Sequence, residues 1–122
     1  MTSKNTFFKL ETYQNDIDLE TNEGVIESMY EDNICETDKL KINFAFVTDT
    51  KEKADYFSIK IKSTYKEYSN INVKPYEELF EIIGETNELQ MTIEKINQWN
   101  QKMWDFGYLY DCKLDGWYVG KD

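Results

Sequence analysis

Large apolar side chains take every second position at Leu40, Ile42, Phe44 and Phe46, with Lys41, Asn43 and Ala45 between them. A period of two marks a strand with one face in a core, so residues 40–47 predict the clearest strand of the chain. Elsewhere the period lengthens. Val25, Ile26, Met29 and Tyr30 recur at helical spacing, with Glu23, Glu27 and Glu31 on the other side. This predicts a short amphipathic helix over residues 22–34 with Asn22 as its N-cap. Ala54, Phe57, Ile61, Tyr65 and Tyr68 mark one face of a longer helix, which Asp49 opens by standing three residues before Glu52 in a variant of the capping box. Ile93, Ile96, Trp99, Met103 and Phe106 mark a second long helix, capped by Thr92 and stopped by Gly107.

Between the long helices, residues 71–74 and 79–83 read as strands joined by a hairpin across Pro75, Tyr76 and Glu77. Leu89 and Met91 extend the second strand beyond a loop or bulge near Gly84. Residues 108–113 read as a last strand, Asp115-Gly116 as a turn and residues 117–119 as the close of the ordered part. Residues 1–20 show no sustained period; their apolar island of Phe7, Phe8 and Leu10 predicts either an edge strand or packing on the core. A helix followed by β-α-β-β-α-β predicts an α+β, ferredoxin-like sandwich, with two helices on one face of a four-stranded antiparallel sheet. The expected organisation is an N-terminal extension, residues 1–21, and a single domain, residues 22–122.

Composition narrows the chemistry. The chain has 122 residues and a net charge of −10, and all fourteen basic residues are lysine. Without arginine there is no rigid fork for carboxylate or phosphate; without histidine the commonest general base and metal ligand is missing. Residues 1–38 hold ten acids against Lys4 and Lys9, while the remaining 84 residues hold fourteen acids and twelve lysines. Such a field repels phosphate backbones and steers in basic protein surfaces, or it simply keeps the domain soluble. Cys35 and Cys112 form no CxxC pair, the N-terminus lacks a signal-peptide pattern and no apolar run is long enough for a membrane span. Two free thiols in the cytoplasm is the expectation.

Several stretches carry a resemblance. Gly24-Val25-Ile26-Glu27-Ser28-Met29, then Asp32-Asn33-Ile34 and Lys39-Leu40-Lys41-Ile42-Asn43-Phe44, resemble the opening of the regulator of ribonuclease E activity B family, in which a short helix leads into the first strand. Thr50-Lys51-Glu52-Lys53-Ala54 looks like that family's start of the first sheet-covering helix. Gly107-Tyr108-Leu109-Tyr110 and Leu114-Asp115-Gly116-Trp117 are similar to its closing glycine and its Tyr-Asp-Gly-Trp ending, with Leu114 in place of the tyrosine. The similarity covers about residues 22–119; the stretch 108–113 is extra and residues 1–20 are unmatched. It implies inhibition of an RNA-degrading endonuclease by protein binding, without catalysis.

The residues' own chemistry points the same way. Asp105, Asp111 and Asp115 read as solvated turn carboxylates, since no pocket visible in sequence would push their pKa values apart. Asp16-x-Asp18-x-Glu20 begins like a calcium loop, but Thr21 stands where the loop needs glycine. Cys112 has no base to activate it. The aromatic-rich last quarter lacks the basic groove that single-stranded RNA requires, because the lysines run along the first long helix. The expectation is a binding protein with no cofactor or metal, no direct contact with nucleic acid and no membrane association. Its contacts would be Glu23, Glu27, Glu31 and Asp32, flanked by Trp104 as an exposed aromatic anchor on a basic protein partner such as a nuclease. An immunity-type protein neutralising a toxin shares this physics; an enzyme or ligand binder would use the sheet's open face, as would a homodimer.

Overall fold

The computed structural model describes residues 5–119, which form an α+β body around a four-stranded antiparallel sheet. Its elements are α1 (Leu10–Asn15), α2 (Glu20–Glu31), β1 (Lys39–Thr48), α3 (Lys51–Thr64), β2 (Ser69–Tyr76), β3 (Leu79–Gln90), α4 (Ile93–Leu109) and β4 (Lys113–Val119). The strands stand in the order β2-β3-β1-β4. The alternation of β1 buries Ile42, Phe44 and Phe46 towards the core, where they meet Phe57, Tyr68 and Trp99 from beneath the helices. α3 lies across β2 and β3, and α4 across β3 and β4.

The two long helices start where their caps dictate. Thr50 and Thr92 each accept the N–H three residues on, from Lys53 and Lys95, both at 3.2 Å. The expected Asp49 cap is therefore corrected: one residue later, the Thr50 hydroxyl sits at extended backbone angles and leaves Asp49 free to pair with Lys53. Gly107 is no helix stop either. α4 runs on to Leu109 and ends in a Schellman motif, with the Cys112 N–H donating to the Gly107 carbonyl at 2.9 Å and Asp111 taking the left-handed turn at φ 59°. α2 ends the same way, with Asn33 at φ 70° and the Ile34 N–H on the Met29 carbonyl.

Three strand expectations change as well. Pro75 does not end β2; it pairs opposite Phe80 on an edge strand, where its missing N–H costs no ladder bond. Residues 108–112 belong to the end of α4 and its turn. What read as a turn at Asp115-Gly116 is a bulge inside the single strand β4, the register slipping between Phe46↔Leu114 and Ala45↔Gly116. A second irregularity falls beside Gly84, where the β1–β3 register shifts between Lys41 and Asn43. There the buried Thr86 hydroxyl accepts the Ile42 N–H at 2.9 Å.

The segment ahead of α2 packs on the core, the second of the two outcomes its apolar island allowed. Phe8 is fully buried among Tyr13, Trp104 and Tyr108, with ring centroids at 5.9, 4.7 and 5.4 Å. Among the described residues, no helix is long and apolar enough to cross a membrane.

Candidate functional site

α2 is fixed by its inner face. Asn22, expected as the cap, lies inside the helix and is buried; its amide donates to Asn97 and Asn100 of α4, both at 2.9 Å. Ile26 and Met29 bury one and two turns on, and the Tyr30 hydroxyl donates to the Met91 carbonyl. With that face on α4, Glu20, Glu23, Glu27 and Glu31 fall on the opposite side at spacings of three, four and four, all exposed. They form one ridge about 16 Å long at 1.5 Å per residue. Among the described residues none of these four makes an ion pair. Asp32, exposed at the helix C-cap, lies just beyond the ridge. Residues 10–38 contain ten acids and no lysine, so this arm alone accounts for the net charge of −10.

Trp104 is not where the pattern put it. Only 5% of it is exposed; its indole N–H donates to the Tyr13 carbonyl at 2.9 Å, and its ring packs edge-on against Phe8. The Lys113 ammonium lies over that ring, 5.7 Å from its centroid. The helical wheel placed Trp104 off the sheet-facing stripe correctly, but α1 and residues 5–8 cover that side of α4. Tyr30, 39% exposed beside Glu27 and Glu31, is the aromatic residue that does border the ridge. Its spacing matches Ile26 and Met29, which puts it on the apolar face of the sequence pattern.

Asp111 is a second correction. Instead of a solvated turn carboxylate, it is 5% exposed and accepts the N–H groups of Thr6, Phe7 and Phe8 at 2.9, 3.1 and 2.6 Å. The Lys53 ammonium donates to it at 2.6 Å and to Asp49 at 2.8 Å. Burial alone would raise the Asp111 carboxyl, but the Lys53 ammonium and the three N–H groups outweigh it and hold the pKa below its ordinary value. This cluster ties the N-terminal segment to α3 and the end of α4. Every atom in it has an internal partner, so it organises structure.

The remaining candidates offer little reactivity. Burial pushes the Cys112 thiol up to about 12, so it stays protonated at neutral pH; Cys35 is exposed. The Asp18 carboxylate accepts both the N–H and the hydroxyl of Thr21, at 3.1 and 2.6 Å. Asp105 accepts from Tyr13 and Gln101, and Asp115 is exposed in the β4 bulge. Among the described residues no three His, Cys, Asp or Glu side chains are grouped to hold a metal ion. The open sheet face carries a groove of about 630 Å³, and two of its polar pairs are internal: Lys74 with Glu81 at 3.6 Å and Asn70 with Glu85 at 2.7 Å.

The model of a family described as regulator of ribonuclease activity B matches residues 19–119, from the start of α2 to the end of β4. A search of curated proteins finds no match.

Proposed function

This chain belongs to the regulator of ribonuclease activity B family, and from that premise we propose that it is a non-catalytic binding protein that docks its α2 ridge on a basic surface of a protein partner such as a ribonuclease. The observation that carries the reading is the ridge itself: Glu20, Glu23, Glu27 and Glu31 in a row on a helix whose other face is locked to α4, none of the four in an ion pair among the described residues. Glu23, Glu27, Glu31 and Asp32 are its charged contacts, and Tyr30 replaces Trp104 as the bordering aromatic. Surfaces that bind RNA are basic, so a carboxylate ridge competes for the same positive charge that holds the substrate. The β2-β3-β1-β4 order with α3 and α4 covering the sheet supports reading the body as a ferredoxin-like sandwich. Two free cysteines suit a reducing cytoplasm.

The test is binding to a purified ribonuclease at low and raised salt, beside its RNA cleavage rate. Binding should weaken as salt rises. The triple variant E23K/E27K/E31K should lose about tenfold or more in affinity and release the cleavage rate, with its circular dichroism unchanged. Affinity that ignores salt, or that survives charge reversal, defeats the proposal.

A further inference from the structure

α4 has opposite electrostatic characters on its two flanks. Asn97 and Asn100 face the acidic arm, while Lys95, Gln98, Trp99 and Lys102, half a turn round, face a cavity of about 720 Å³ beside the segment that leaves α3. Lys66, Lys95 and Lys102 line it against one carboxylate, Glu67. In a chain with 24 acids and 14 lysines, none of these three makes an ion pair among the described residues. Lys102 instead holds its ammonium 5.3 Å from the centroid of the Tyr65 ring. The wall behind is aromatic and braced: Tyr65 stacks on Tyr68 at 4.8 Å, and the Trp99 N–H donates to the Tyr68 hydroxyl at 3.3 Å. In sequence Lys66 stands just past α3 while Lys95 and Lys102 are on α4, which gives no sign of a groove; the fold brings the three to one.

We propose that this groove binds a nucleoside phosphate, with the phosphate held by Lys66, Lys95 and Lys102 and the base against the half-buried rings of Tyr65 and Tyr68, which the buried Trp99 braces from behind. The volume lies in the range of small-molecule sites, about 300–1,000 Å³. Lysines act as point charges for phosphate where no arginine exists, and aromatic walls accept any base. The acidic arm does not cancel this potential. It lies across the width of α4, about 10–12 Å with side chains, and salt at physiological strength screens charges over about 8 Å. Long duplexes would reach the arm and be repelled, so a free nucleotide or a short single strand is the matching form.

Calorimetric titration of the full chain with AMP, ATP, a single-stranded RNA hexamer and inorganic phosphate tests this, at low and high salt. A nucleotide or the hexamer should bind, weaken with salt, and lose about tenfold or more in the double variant K66A/K102A, whose altered side chains are exposed and leave the fold intact. The better binder between AMP, ATP and hexamer identifies free nucleotide or RNA as the source. The proposal is overturned if nothing binds, if K66A/K102A binds as wild type, or if phosphate alone binds as tightly as AMP. Self-association of the wild type that K66A/K102A abolishes also overturns it, because the acidic ridge of a second copy then fills the groove.

Discussion

Asp111 keeps its charge in a place where burial opposes it, because four donors converge on two oxygens. Truncating it to alanine strands three N–H groups and leaves the Lys53 ammonium with Asp49 and the Thr6 hydroxyl. Lys53 keeps 29% exposure, so the cost belongs near the low end for a broken buried pair, about 3 kcal/mol in urea unfolding. The pH dependence follows from the direction of each shift. The lowered Asp111 pKa gives stability that is fully present above the ordinary value of 3.8 and lost as pH falls through the folded pKa. For Lys53 burial works downward, but Asp111 and Asp49 outweigh it and raise the pKa; its share is full below 10.5 and lost as pH rises through the folded pKa. Wild type should therefore lose stability below about pH 4, and D111A should lose less over that window, as unfolding midpoints against pH will reveal.

At the scale of elements, α2 places Glu23, Glu27 and Glu31 four apart, a like-charge spacing that weakens a helix by about 0.2–0.5 kcal/mol per pair. Replacing Glu27 with lysine turns both repulsions into attractions. E27K should be slightly more stable than wild type in thermal unfolding while binding its partner less well. A variant that is less stable would mean the ridge serves the helix itself. α4 depends on a close approach at Gly107: a Cβ there would lie 2.2 Å from the Cys112 carbonyl oxygen and 3.0 Å from the Phe46 ring. Because the first neighbour is backbone within the Schellman turn, G107A should cost about 3 kcal/mol or more, read from the urea midpoint. At Gly84 a Cβ would lie 2.4 Å from the tip of Ile71 and 2.8 Å from the Phe44 ring, both side chains and not backbone, so G84A should cost less than G107A.

For the molecule as a whole, the matched family region begins at residue 19, yet the core begins earlier. Phe8 is fully buried against Trp104 and Tyr108, and Asp111 holds the backbone that delivers it. Phe8→Ala should lower stability by about 3–5 kcal/mol in equilibrium unfolding. A loss under 1 kcal/mol, the scale of ordinary surface changes, would mean the segment lies on the body without holding it together. The whole molecule also separates its charges: the acidic α2 packs on one flank of α4, and three lysines that make no ion pair among the described residues line a groove on the other.

Periodicity located β1 and α4, the start of α3 and the Thr92 cap, because alternating and helical burial leave direct marks on neighbouring residues; α3 itself ends at Thr64, so the Tyr65 and Tyr68 of its expected stripe reach the core from the segment that follows. Composition likewise fixed what the chain lacks, imidazole and guanidinium, and where its acids concentrate. The misread positions share a cause: Trp104, Asp111 and Gly107 owe their surroundings to residues 5–8, to Lys53 or to Phe46, about 50 to 100 positions away. Local pattern tells which side of a helix is apolar; it cannot tell what a distant segment brings to the other side. The acidic ridge was legible because its members sit on one helix. The lysine groove was not, since Lys66 and Lys102 become neighbours only when α3 and α4 settle on the same sheet.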